Sequence, residues 1–237
     1  MTVGIMIENL SAGYGETIVL DGISFDVAAG DTLAILGRNG VGKTTLLTTL
    51  MGLTTRHRGE IRLGCQEIQT MATHKRVHAG LGYVPQEREI FPSLTTEENL
   101  AVSVIAGGWT IDDVYELFPM LKARRSNSGN RLSGGEQQML AVGRALVGGP
   151  KVLLLDEPME GLAPIVIEAL SEALARIRDE SGLTLLLVEQ RVDLALSFAN
   201  NALILDRGQI VYRGTSAELM KDEKTQHRLL CIGADEE

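Results

Sequence analysis

The run Gly37-Arg38-Asn39-Gly40-Val41-Gly42-Lys43-Thr44 constrains this chain more than any other stretch of it. It fits G-x-x-x-x-G-K-[ST], and it lies between an apolar segment, Thr32–Leu36, and a helical pattern that starts at Lys43. A strand that turns through such a loop into a helix presents backbone N–H groups at the helix start, where the helix dipole also favours an anion. Glycines let the backbone wrap a phosphate without Cβ collisions. Lys43 suits neutralisation of β- and γ-phosphates, and the Thr44 hydroxyl suits a Mg²⁺ ion. The loop by itself points to nucleoside triphosphate binding and leaves kinases, GTPases and ATPases open.

The pattern around the loop predicts an α/β chain. Ile5–Leu10, Ile18–Leu20, Ile23–Val27 and Thr32–Leu36 read as strands, punctuated by Gly13, Gly15, Gly22 and Gly30. After Lys43 the spacing of Leu46, Leu47, Leu50 and Met51 is helical and stops at Gly52. In the C-terminal half Val152–Leu155, Thr184–Val188 and Ala202–Leu205 are strand-like. Val166, Leu170, Ala173, Leu174 and Ile177 fall on one helical face between the first two. Near-continuous apolar strands alternating with helices imply a parallel sheet covered on both sides. The middle, roughly Thr95 to Arg131, reads instead as helices and loops, with a helix start at Thr95-Thr96-Glu97-Glu98 and a second helix over Ile111–Leu117. It is expected to be an inserted helical lobe.

Two further motifs carry chemistry. Val152-Leu153-Leu154-Leu155-Asp156-Glu157-Pro158 puts two carboxylates where a buried strand emerges, the edge on which α/β sheets bind ligands. Asp156 suits a role holding Mg²⁺, and Glu157 suits a general base for an attacking water. A guanine-reading Asn-Lys-x-Asp element is absent from the sequence, which favours ATP over GTP. Leu132-Ser133-Gly134-Gly135-Glu136-Gln137-Gln138 opens an amphipathic helix that runs to about Val147, with Ser133 as its cap. This is a second anion-attracting helix end with no lysine of its own. Two such ends in one chain could both be used if two subunits stack head to tail.

Phosphate loop at 37–44, Leu132–Gln138 and the acidic strand end at 152–157, in this order, resemble an ATP-binding-cassette (ABC) ATPase subunit over nearly the whole chain. The resemblance implies a P-loop core of mainly parallel sheet with an N-terminal antiparallel β subdomain, built from residues 1–86 and 132–237, and a helical subdomain over about 87–131. It implies ATP and Mg²⁺ as ligands. Nucleotide contacts fall on Tyr14, Gly37, Arg38, Asn39, Gly40, Val41, Gly42, Lys43, Thr44, Thr45, Ser133, Gly134, Gly135 and Gln137, with Tyr14 stacking on adenine. Thr44, Gln86 and Asp156 match the Mg²⁺ positions; Glu157, Gln190 and Gln86 match the catalytic ones.

Two positions depart from the general family pattern. Gln190 stands where a switch histidine is expected, and Ala163 where the loop after the acidic strand end usually carries Asp. Gln190 can donate a hydrogen bond but cannot carry charge or relay a proton as imidazole does. These departures, with Arg88-Glu89-Ile90-Phe91-Pro92 and Val188-Glu189-Gln190, are similar to the ATPases of bacterial importers for branched-chain amino acids and related solutes such as urea and short amides. That placement implies a second ABC ATPase subunit (a homologous partner or a second copy of this chain) in a head-to-tail dimer, two membrane-spanning permease subunits, indirectly a solute-binding protein, and a peripheral seat on the cytoplasmic face of the inner membrane. A non-transport ABC ATPase and a regulatory ATP-binding module with little hydrolysis are the alternatives.

Composition is compatible with this. With 237 residues, 44% hydrophobic and 22% charged, the chain can bury a core and is not disordered. No apolar run nears the ~18 residues of a membrane span, and Met1–Leu10 does not resemble a secretory signal. A net charge of −9 with 4% aromatics weighs against nucleic acid as a partner. Cys65 and Cys231 make no metal spacing, His74 and His78 lack a third ligand, and Trp109 reads as a packing residue. The compact C-terminus, ending near Leu230 before Asp235-Glu236-Glu237, is expected to add no regulatory domain.

Overall fold

The computed structural model describes residues 2–230; Cys231 and the terminal acids lie outside the described residues. Ten strands and ten α-helices follow in chain order among them. The strands are β1 (Ile5–Tyr14), β2 (Thr17–Val27), β3 (Thr32–Leu36), β4 (Thr55–Leu63), β5 (Gln66–Glu67), β6 (Leu81–Val84), β7 (Val152–Asp156), β8 (Thr184–Val188), β9 (Asn201–Asp206) and β10 (Gln209–Thr215). The helices are α1 (Lys43–Met51), α2 (Thr73–Ala79), α3 (Thr96–Ala101), α4 (Ile111–Leu117), α5 (Pro119–Ala123), α6 (Gly134–Val147), α7 (Pro164–Ser181), α8 (Val192–Phe198), α9 (Ser216–Lys221) and α10 (Glu223–Leu230).

The strands form two sheets. One is antiparallel, in the order β2-β1-β4-β5; the other, β10-β9-β3-β8-β7-β6, is parallel except for the β9–β10 hairpin. The central strands are buried along their whole length, so their side chains feed two layers alternately. Leu33, Ile35, Val152, Leu154, Leu186 and Val188 join α1 and the antiparallel sheet. Ala34, Leu36, Leu153, Leu155, Leu185 and Leu187 join α6 and α7 on the opposite face. Leu100, Val114, Leu117 and Leu121 of the lobe belong to this second cluster. The lobe is thus packed on α6, where a Cβ on Gly143 would come 2.6 Å from Val114.

Three sequence expectations change. The strands expected at Ile18–Leu20 and Ile23–Val27 are one strand, β2. Asp21 and Gly22 form a bulge in it rather than a turn, with the Gly22 N–H donating to the Ser11 hydroxyl at 3.2 Å. The first strand runs past Leu10 to Tyr14, so Tyr14 ends a strand. The basic cluster Arg56, Arg58 and Arg62, whose sequence suits a strand edge, lies on the exposed or half-exposed side of β4, whereas β5, β6 and β10 have no counterpart in the sequence pattern. Helix α1 ends as expected, with Gly52 at φ 79° closing onto the Thr48 and Thr49 carbonyls. Among the described residues, no helix is long and apolar enough to cross a membrane.

Candidate active site

The phosphate loop leaves β3 at Gly37, whose φ is 148° and where a Cβ would come 2.4 Å from the Leu205 carbonyl oxygen. It enters α1 at Gly42, with φ 111°, where a Cβ would come 2.8 Å from the Leu20 side chain. Side chains are excluded at both ends, so the backbone is drawn tight into a cradle. No side chain caps α1 and its first turn carries no acid, which leaves its N–H groups facing outward for an anion.

Lys43 is 4% exposed and folds back on the loop. Its Nζ donates to the carbonyls of Gly37 at 2.9 Å and Arg38 at 3.1 Å, and lies 3.4 Å from Oε1 of Glu157. The Thr44 hydroxyl donates to Oδ1 of Asp156 at 3.2 Å, and the Tyr83 hydroxyl to Oδ2 at 3.2 Å. Burial pushes the Asp156 carboxyl above the usual range; the Thr44 and Tyr83 hydrogen bonds oppose this, and the Glu157 charge adds to it. The Tyr83 phenol is pushed up by burial and then by Asp156.

Glu157 follows β7 directly, with φ 46° and its N–H donating to the Val188 carbonyl at 2.9 Å. Gln190, two residues after β8, donates its side-chain amide to Oε2 of Glu157 at 2.5 Å. Gln86 donates its amide to Glu160. Asn39, Gly40, Gly42, Lys43, Thr44, Thr45, Gln86, Glu157, Glu160 and Gln190 line one cavity of about 250 Å³. Residues from three distant motifs thus converge on the loop that cradles phosphate.

The hydroxyl of Thr44, the carboxylate of Asp156 and the amide oxygen of Gln86 are hard oxygen donors of the kind Mg²⁺ takes. Among the described residues no three His, Cys, Asp or Glu side chains gather to hold a metal by themselves. The donor set therefore fits a cation that shares its coordination with phosphate oxygens and water rather than an all-protein cage.

Other expected residues stand apart. Tyr14 is 55% exposed and does not line the cavity. Nor do Ser133, Gly134, Gly135 and Gln137 at the start of α6. There Ser133 and Glu136 form a reciprocal capping box, Arg124 pairs with Glu136 at 3.1 Å, and Gln137 donates to the Gly129 carbonyl at 3.1 Å. Gly37 and Val41 are buried and Arg38 is exposed, and none of the three lines the cavity. The segment after Gln86 is tied to α6 twice. Arg144 donates to the Glu89 carbonyl at 2.6 Å and stacks 5.0 Å from the Phe91 ring, and Arg88 donates to Gln138 at 3.2 Å. Sequence reasoning missed Tyr83 and Glu160 as site residues; both gain their place through folding, and no spacing marks them.

The model of the family described as ABC transporter matches residues 20–160. The chain is 40% identical to the high-affinity branched-chain amino acid transport ATP-binding protein BraG of Pseudomonas aeruginosa, covering 94% of this chain and 97% of that one. It is 34% identical to the lipopolysaccharide export system ATP-binding protein LptB of Haemophilus influenzae, covering 92% and 93%. Among solved structures, a nucleotide-free ATP-binding cassette from an ABC transporter superposes with a TM-score of 0.83 at 25% identity, covering 98% of this chain and 100% of that one. Phosphate cradle, paired carboxylates and whole-length similarity agree: the chain belongs to the ABC transporter family, as an ATP-hydrolysing P-loop ATPase.

Proposed function

We propose that this chain is the ATP-driven motor subunit of an importer for branched-chain amino acids or a related small polar solute. The observation that carries the ATPase half is Glu157, held between Lys43 and Gln190 at the mouth of the phosphate loop. Lys43 and the α1 N–H groups bind the triphosphate, and Thr44, Asp156 and Gln86 would hold Mg²⁺, which screens the phosphate charge when bound. Glu157 takes a proton from the attacking water, and Gln190 keeps its carboxylate aimed.

The separation of Ser133–Gln137 from the chain's own cavity supports a head-to-tail pair in which each α6 start faces the other subunit's nucleotide. A groove of about 620 Å³ between α2, β6 and the lobe exposes Leu53, Val77, Val102, Val104 and Ile105 beside Pro85 and Glu89. Apolar surface this close to Gln86 suits a helix of a membrane subunit and supports a peripheral seat on the cytoplasmic face. The import reading rests on the 40% identity to BraG against 34% to LptB, an export protein; export of a lipid is the second reading.

The test is reconstitution with the permease subunits and a solute-binding protein in proteoliposomes. ATP-dependent uptake of labelled leucine or valine, lost in Glu157→Gln, is expected. ATP turnover without uptake of any amino acid, urea or amide overturns the import reading but not the ATPase one. Turnover unchanged by Glu157→Gln overturns Glu157 as the general base.

A further inference from the structure

Glu189 is a buried carboxylate to which no part of the reaction has so far been assigned. It is the first residue after β8 and only 3% exposed. Its Oε1 accepts the backbone N–H of Met159 at 3.2 Å, and its Oε2 accepts the backbone N–H of Gln190 at 3.2 Å. Met159 lies two residues beyond Glu157, in the loop that follows β7. One carboxylate therefore joins the two segments whose side chains, Glu157 and Gln190, meet at 2.5 Å.

The backbone of Glu157 makes such a tie necessary. At φ 46° it occupies the left-handed region, where a residue with a side chain rests only if its surroundings hold it there. On one side its N–H is fixed to the Val188 carbonyl at 2.9 Å. On the other, the chain leaving Glu157 is gripped through the Met159 N–H by Glu189. The charged groups facing Glu189 are Glu157 and Glu160 from the β7 loop and Arg191 from its own turn, all lining one small cavity with it. Arg191 is turned to Asp193 at 3.3 Å, and Glu157 brings a like charge. Burial first, and then Glu157, push the Glu189 carboxyl up to about 7 against the pull of its backbone N–H donors.

We propose that Glu189 is a positioning residue for hydrolysis: its carboxylate locks the loop after β7 to the backbone of Gln190 and so aims Glu157. This rests on Glu157 as the base, which the Glu157→Gln variant tests separately. Nothing in the role touches nucleotide, so binding and turnover should come apart.

The experiment measures kcat and KM for Mg-ATP, from pH 5.5 to 9, on the full chain and on Glu189→Gln and Glu189→Ala. Glu189→Ala, which leaves the amides without an acceptor, is expected to lower kcat by about tenfold or more, as small misplacements of a reacting group do, with KM within about twofold. Glu189→Gln keeps the shape and one acceptor oxygen. It should turn over faster than Glu189→Ala and lack the rise in kcat through pH 7 that is expected of the unsubstituted chain. Three results overturn the proposal: kcat of Glu189→Ala within twofold of the unsubstituted chain, KM rising in step with the fall in kcat, or a Glu189→Gln profile that keeps the rise through pH 7. Because Glu189→Gln is isosteric, the last of these remains readable if Glu189→Ala fails to fold.

Discussion

Gln190 donates its side-chain amide to Oε2 of Glu157 at 2.5 Å, while the other oxygen of that carboxylate lies 3.4 Å from Nζ of Lys43. An amide neither gains nor loses a proton in the working pH range, so this bond persists wherever Glu157 is ionised. Lys43 behaves differently. Its three donors are spent on two loop carbonyls and Glu157, and an arriving triphosphate competes for them. The carboxylate thus has one permanent partner and one that nucleotide can draw away.

Removing the charge of Glu157 isolates its role. Glu157→Gln should lower phosphate release by about 100-fold or more, the usual worth of a general base, with ATP affinity changed only a few-fold. Phosphate release and equilibrium nucleotide binding measured together check this. A parallel loss in both would mean that Glu157 serves binding instead.

Lys43→Ala removes the phosphate contact and also strips the counter-charge from Glu157, which is only 7% exposed. Turnover should vanish and ATP affinity should fall by about tenfold or more, each lost charged hydrogen bond being worth ~1.5–3 kcal/mol. Near-normal turnover would sink the phosphate-loop assignment.

Gln190→His exchanges a permanent donor for one that titrates near 6.5. The ATPase rate should be preserved or raised, and its pH profile should gain a limb in that region. A collapse at every pH would show that the amide's geometry, not just its donor, is needed.

Stability without nucleotide should decline as pH rises from about 4.5 to 7. The Glu189 carboxyl moves from an ordinary 4.5 to about 7 on folding, and Asp156 is also raised. Over that window the folded chain binds more protons than the unfolded one, so deprotonation favours unfolding, by about 3 kcal/mol at most from Glu189. Glu98, Asp113, Glu136 and Glu218, held low at helix starts, act the other way, their contribution being lost as pH falls below the usual carboxylate range. Thermal melts from pH 4 to 8 should show Tm falling towards neutrality, with a shallower slope in Glu189→Gln; a Tm that climbs from pH 5 to 8 contradicts the assignment.

Arg76 offers a test away from the chemistry. Its buried guanidinium donates to the carbonyls of Thr49 at 2.8 Å and Leu50 at 2.7 Å, at the end of α1, and to those of Gln69 and Met71. Arg76→Leu leaves four carbonyls without that donor and should cost about 3 kcal/mol, read as a lowered midpoint in urea at unchanged m. A shift below about 0.5 kcal/mol would show that water replaces the guanidinium fully.

Where the chain's pattern is regular, sequence alone located structure to the residue. Strands β3 and β8 coincide with the expected Thr32–Leu36 and Thr184–Val188, because strands buried on both faces are apolar without interruption. Strand β10 hid because none of its seven residues is buried, so no apolar run marks it. Asp21-Gly22 read as a turn because a bulge uses the same residues; only the pairing of Leu10 with Ile23 and Ala12 with Leu20 distinguishes them. The site divides likewise. Lys43, Thr44, Asp156 and Glu157 were legible because local spacing on a strand end creates their chemistry. Tyr83 and Glu160 were not, since each acts on a partner 73 or 74 positions away that only folding brings near.

Helix α1 has a phosphate cradle at one end and the apolar groove at the other, where Met51 and Leu53 form part of the lining. Nine residues at 1.5 Å each make it a rod of about 13 Å, and Arg76 clamps its far end to α2. One rigid element therefore borders both surfaces, and the phosphate loop and the groove wall stand at a fixed separation as long as α1 stays whole.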